Sequence, residues 1–136
     1  MDKNREALMS FYNKALTVNT ETTPGKVLSE VLADSFTSYG SMESKGKPQL
    51  MGQVEYFWKL IPDLKWEPKD IVNEGNKYVV RSIASGTPKG DFMGTPTDGT
   101  KSFSTMTIDF HVVENGQMQS VHHLEDWATA MKQLKS

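Results

Sequence analysis

The hydrophobic rhythm of this chain changes once, near residue 63, and that change limits the folds open to it. Before it, apolar residues recur every three or four positions, the period of a helix with one buried face. Ala7, Leu8, Phe11, Tyr12, Ala15 and Leu16 mark a first helix. Thr23 can cap a second and Pro24 suits its first position, with Val27, Leu28, Val31 and Leu32 as its apolar face. Pro48 suits the start of a third, striped by Leu50, Met51, Val54, Phe57, Trp58 and Ile61. Pro62 then ends it, because proline disfavours helical geometry in the residue before it.

After residue 63 the period is two, and 63–74, 77–88, 101–113 and 117–125 read as strands. They are separated by Gly75-Asn76, by a Gly-, Pro- and Thr-rich loop over 87–100, and by Asn115-Gly116, a strong hairpin signal. Three helices followed by an antiparallel meander predict an α+β fold, with the helices packed in the concave face of a curved antiparallel sheet. The length of 136 residues fits one domain spanning 1–136. No repeat, low-complexity tract or linker divides it.

Composition narrows the chemistry. With no cysteine, thiolate nucleophiles, disulfides and Cys-based metal sites are excluded, and carboxylates, imidazoles, hydroxyls and amines remain. A net charge of -2 with scattered Lys and Arg leaves no stripe for tracking phosphates, so no nucleic-acid partner is expected. The N-terminal residues lack the apolar stretch of a signal peptide, and no window is apolar enough for a membrane span. A cytoplasmic location is the resulting expectation. Gly94-Thr95-Pro96-Thr97-Asp98-Gly99 lacks a following Gly-Lys-Ser/Thr and helix, and reads as a turn-rich loop instead of a phosphate cradle.

The last two strands concentrate the titratable residues. If Asn115-Gly116 is a two-residue turn, Glu114 faces Gln117, and outward counting pairs His111 with Ser120, Asp109 with His122, and Thr105 with Asp126. Asp109, His111, His122 and Asp126 then share a face, opposite the apolar row Met106, Ile108, Phe110 and Val112 and with His123 on the apolar side. Two readings of the polar face are open. It can meet water, as one side of an antiparallel sheet often does, or it can line a cavity where burial raises carboxylate pKa values. One dropped residue or β-bulge in the hairpin would reverse the faces.

Other groupings say less. His122 and His123 point to opposite faces and chelate poorly, so no metal is expected. Tyr12, Phe57 and Trp58 at helical spacing suit a core as well as a pocket wall. Tyr39, Tyr56 and Arg81 fit a cavity lining or the surface.

Ordered motifs extend over nearly the whole chain. They include Leu32-Ala33-Asp34-Ser35-Phe36, Pro62-Asp63-Leu64, Ile71-Val72-Asn73-Glu74-Gly75 and Gly90-Asp91-Phe92-Met93-Gly94-Thr95-Pro96. Ile108-Asp109-Phe110-His111 follows, and then Asp126 ahead of Gln133-Leu134. As a set they resemble the SnoaL-like polyketide cyclases, within the fold shared by nuclear transport factor 2 and ketosteroid isomerase. The resemblance implies a cone-shaped α+β barrel and a reaction without metal or cofactor. In that reaction a proton next to a carbonyl is abstracted and an intramolecular carbon-carbon bond closes a ring. It also implies an acid/base aspartate near the end of the last strand, falling on Asp126, and a nearby histidine, falling on His111. Where many members carry tryptophan four residues before that aspartate, this chain has His122.

The resulting expectation is an enzyme with Asp126 as general base and with His111 or His122 donating to the enolate oxygen. Tyr12, Tyr39, Trp58 and Asp109 would contact the substrate, and Asp126 would have a raised pKa across an apolar cavity from His111. The alternative is a non-catalytic module that captures a small hydrophobic metabolite. In a third, structural role the apolar sheet face forms a homodimer interface, a partner expected in either case.

Overall fold

The computed structural model describes residues 2–136, and the first helix, α1, spans Lys3–Ser10. Asp2 caps it by accepting from the Arg5 backbone N–H. The helix then widens into a π-helical turn, Phe11–Ala15, closed where the Leu16 N–H donates to the Phe11 carbonyl. Every member of the expected stripe, Ala7 through Leu16, is buried. Helix α2, Pro24–Val31, has the Thr23 cap and leading proline read from the sequence. Helix α3, Lys47–Leu60, buries Leu50, Val54 and Leu60, with Ile61 buried just beyond it.

Between α2 and α3 the chain forms β1 (Leu32–Tyr39) and β2 (Ser44–Gly46). The expected second helix therefore ends one residue before Leu32, which opens a strand instead of continuing a helical face. Leu32, Ala33, Phe36 and Ser38 are buried along β1, and its backbone is satisfied by parallel pairing with the last strand. The later strands are β3 (Lys65–Glu74), β4 (Lys77–Gly86), β5 (Lys89–Phe92), β6 (Thr95–Asp98), β7 (Phe103–Glu114) and β8 (Gln117–Glu125). Helix α4, Trp127–Lys135, closes the chain.

The six-stranded sheet has the order β2-β1-β8-β7-β4-β3 and is antiparallel except for β1 beside β8. The expectation of a wholly antiparallel sheet is corrected at that pair: a strand after α2 reaches β8 running in the same direction. A second correction concerns the loop over 87–100, which forms the separate β5–β6 hairpin. Gly90 and Gly94 adopt positive φ there, as does Met93. The result is a mixed α+β fold in which a curved sheet packs on helices around one core. Among the described residues, no helix is long and apolar enough to cross a membrane.

Gly86 shows how tightly α3 meets the sheet. A Cβ there would overlap Ile61 Cγ2 and lie 3.6 Å from the Leu64 backbone. Gly86→Ala should therefore destabilise the fold by about 1–3 kcal/mol through overpacking. Urea unfolding measures this directly, and an unchanged midpoint would refute the tight approach.

Candidate active site

Strand β7 alternates between buried Phe103, Thr105, Thr107, Asp109, His111 and Val113 and residues between them that are exposed or, at Val112, half-buried. Its polar residues thus point into the interior, as expected of a cavity-lining face. The partner strand departs from the simple hairpin count. Glu114 still faces Gln117, but the register shifts by one residue at Val112/Val113, so Val112 pairs with Ser120 and Gln119 is left over. This β-bulge reverses the side-chain direction of the rest of β8. Asp109 is opposite His123, Thr107 is opposite Glu125, and Phe110 is opposite His122.

His123 and Glu125 therefore join the interior face, and His122 goes outside. His122 is exposed and stacks on half-exposed Tyr39, with ring centroids 4.6 Å apart. Asp126 lies beyond the strand, exposed, as the cap of α4, where it accepts from the Thr129 N–H and hydroxyl. Those bonds hold its pKa below the ordinary carboxylate value, the reverse of the expected rise. The expectation that Asp126 faces His111 across a cavity is thus corrected. The sequence carries a signal for the bulge: Met118 and Val121 are both apolar yet three residues apart, so they cannot share a face of an unbroken strand, and in the structure both are buried.

Beside this inner face is a cavity of about 660 Å³, within the range of small-molecule sites. Aromatic walls come from Phe11, Phe57, Trp66, Phe92 and Trp127. Phe92 is delivered by the β5–β6 hairpin and Trp127 by the start of α4, with ring centroids 5.6 Å apart. Exposed Tyr56, Met93 and Leu124 stand at the mouth. The titratable groups on its wall include Asp109, His123 and Glu125, with Glu43, Lys45 and Asp91 also lining it.

Asp109 is 4% exposed. Its Oδ2 accepts from the Tyr12 hydroxyl at 2.6 Å. Burial raises its pKa to about 7, against the lowering effects of that hydrogen bond and of His123. Behind it, the same hydroxyl lies 2.6 Å from His111 Nε2. His111 is fully buried, and desolvation lowers its pKa to about 3, so it is neutral at physiological pH. Burial, reinforced by Asp109, keeps Tyr12 protonated as well. His123 donates from Nδ1 to Glu125 at 2.8 Å, and that partner raises its pKa; Nε2 lies 3.7 Å from Glu43.

Of the residues expected to contact substrate, Asp109 lines the cavity, whereas Tyr12 and His111 are packed behind it. Trp58 donates its indole N–H to the Ala15 carbonyl outside the lining, and Arg81 pairs with Asp70 on an exposed edge. Trp66, whose indole N–H donates to Thr107, and Trp127 take the wall positions. Nowhere among the described residues do three or more metal-ligating side chains converge.

The two buried groups pull stability in opposite directions. Asp109 holds a proton in the fold that the unfolded chain releases between about pH 4 and 7, which lowers stability as pH rises. His111 refuses a proton that the unfolded chain takes up below about pH 6.5, which raises stability over much of the same range. Removing the first effect with Asp109→Asn should make the variant gain on the wild type as pH rises from about 4 to 7, by up to about 1.4 kcal/mol per pH unit. Parallel plots of unfolding free energy against pH would contradict the raised carboxyl.

Comparison with known proteins places this geometry in a family. A model described as SnoaL-like polyketide cyclase matches residues 6–134. A candidate SnoaL-like polyketide cyclase from Jannaschia sp. CCS1 superposes with a TM-score of 0.85 at 18% identity, covering 98% of this chain and 92% of the other. IdmH, a candidate polyketide cyclase from Streptomyces antibioticus, gives 0.82 at 19% identity, covering 99% and 100%. A protein with a ketosteroid isomerase-like fold from Catenulispora acidiphila, solved in complex with trimethylamine, gives 0.76 at 13% identity, covering 96% and 92%. No curated protein matches the chain. With the family model spanning almost its full length, the chain belongs to the SnoaL-like polyketide cyclase family.

Proposed function

We propose that the cavity binds a small, mostly apolar carbonyl compound and that Asp109 exchanges a proton with the carbon next to the carbonyl. The observation that carries this reading is a carboxyl group buried against an aromatic-walled cavity, poised near neutrality, with one oxygen fixed by Tyr12. A base for a carbon acid needs that balance, because it must be ionised often enough to act yet basic enough to take the proton. The carboxylate takes the α-proton and the C–H electron pair becomes an enolate. In a cyclisation the enolate carbon attacks a second carbonyl carbon of the same molecule. The new alkoxide then recovers the proton from the Asp109 carboxyl. His123, whose pKa is raised by its hydrogen bond to Glu125, supplies a positive charge on the same wall for the developing oxyanion when it is protonated. An isomerisation uses the same two proton transfers without the bond-forming step.

Deuterium exchange from solvent into the α-position of a small aromatic 1,3-diketone tests the chemistry. Exchange should rise with pH through about 7 as Asp109 ionises. Asp109→Asn should slow it by about 100- to 10,000-fold. Quenching of Trp66 and Trp127 on the cavity wall reports binding, which should change far less in that variant. Binding without any Asp109-dependent exchange would instead make the protein a capture module for hydrophobic metabolites.

A second copy of the chain is the proposed partner for the outer sheet face. Met106, Ile108 and Phe110 are each more than 40% exposed there, in one row on β7. A patch of that kind, with no charged residue in the row, suits a self-complementary interface. Sedimentation at micromolar concentration should give a dimer, and Phe110→Asp should give a monomer with its fold intact. A monomeric wild type would refute the interface.

A further inference from the structure

Tyr12 has one hydroxyl proton and two close partners, Asp109 Oδ2 and His111 Nε2, each 2.6 Å away. Each contact needs one proton, so a second must come from His111 or from Asp109. Neutral His111 carries a single ring proton, and its Nδ1 is buried without a hydrogen-bond partner. If that proton were on Nδ1, a buried N–H would be stranded and Tyr12 would have to donate to Nε2. Asp109 Oδ2 would then face only lone pairs on the tyrosine oxygen and could never ionise without breaking the contact. With the proton on Nε2, His111 donates to Tyr12 and Tyr12 donates to Asp109. Only an acceptor lone pair is then left over, and buried orphan acceptors are better tolerated than buried orphan N–H groups.

We infer that Tyr12 and His111 are positioning residues that occupy Asp109 Oδ2 permanently, leaving Oδ1 as the sole oxygen through which Asp109, on the cavity wall, exchanges its proton. This rests on the acid/base reading above and adds where the proton resides. No proton travels along the Tyr12–His111 chain; the two groups work as a fixed donor series. Around Asp109 the other ionisable neighbours are His123 and Glu125 on β8, with Glu43 reaching His123 from the β1–β2 connection, while its cross-strand neighbour on β4 is apolar Val80. None of them donates to Oδ2. The arrangement also explains a wholly buried tyrosine next to a cavity it does not line: its hydroxyl acts on the wall from behind.

Nitrogen NMR of ligand-free protein labelled at histidine tests this without any substrate. His111 should keep a protonated Nε2 and a bare Nδ1 on both sides of the Asp109 titration, followed from about pH 5 to 9 by the Asp109 carboxyl carbon. Tyr12→Phe should move the Asp109 midpoint upward by about one pH unit, because it removes a bond that favours the carboxylate. Removing a merely structural hydroxyl would not shift that midpoint. A proton on Nδ1, a tautomer change as Asp109 titrates, or an unmoved midpoint in Tyr12→Phe would overturn the inference while leaving Asp109 as the acid/base group. An Asp109 ionised throughout would overturn both. If Tyr12→Phe fails to fold, the tautomer of the wild-type protein still decides.

Discussion

Asp109 and His111 point from the middle of the sheet into an apolar interior, and whatever packs on that face must either satisfy them or leave space beside them. The fold does both. The π-helical turn after α1 presents Tyr12 to the two polar groups at hydrogen-bonding distance, and aromatic residues from α3, β3, the β5–β6 hairpin and α4 stand back around a cavity. A fully apolar interior would pack more stably, since each buried ionisable group costs desolvation. What the protein obtains for that cost is a carboxyl whose proton affinity lies near neutrality.

Much of this was legible in the sequence. The stripe from Ala7 to Leu16, the Thr23 cap, the Asn115-Gly116 turn and the inward row of β7 follow from local periodicity and turn chemistry, which need only neighbouring residues to read. β1 was missed because its pairing partner is some eighty residues away, and Leu32 continues a helical pattern as well as it starts a strand. Helix α4 was missed because its buried residues, Ala130 and Leu134, are few and its aromatic Trp127 is committed to the cavity. Among candidate site residues, Asp109 and His111 were placed on the right face. His123 and Glu125 were not, since one unpaired residue, Gln119, decides which side of β8 meets the interior. The family resemblance carried the aspartate role onto Asp126, but a residue one position past the strand end is free to cap a helix, and Asp126 does.

The outer and inner faces of β7 share the labour without overlap. One row, Met106, Ile108 and Phe110, keeps its apolar surface in solvent, while the alternate row holds the ionisable groups. A single strand therefore connects the proposed self-association surface to the chemical wall through nothing more than the alternation of side chains.

The bulge in β8 has a consequence for how such proteins diverge. Because the strand alternates, the identity of its cavity-facing residues is a parity: with Gln119 bulged out of the ladder, the odd-numbered His123 and Glu125 are inside, and with Gln119 paired in register opposite Val112 the even-numbered His122 and Leu124 would be. A one-residue shift of this register would exchange His123 and Glu125 for His122 and Leu124 and turn the buried Val121 outward, while leaving topology and strand order in place. Pocket chemistry in this architecture can thus change by counting instead of by substitution, and two relatives with matching residues in an alignment can present opposite sets to their ligands.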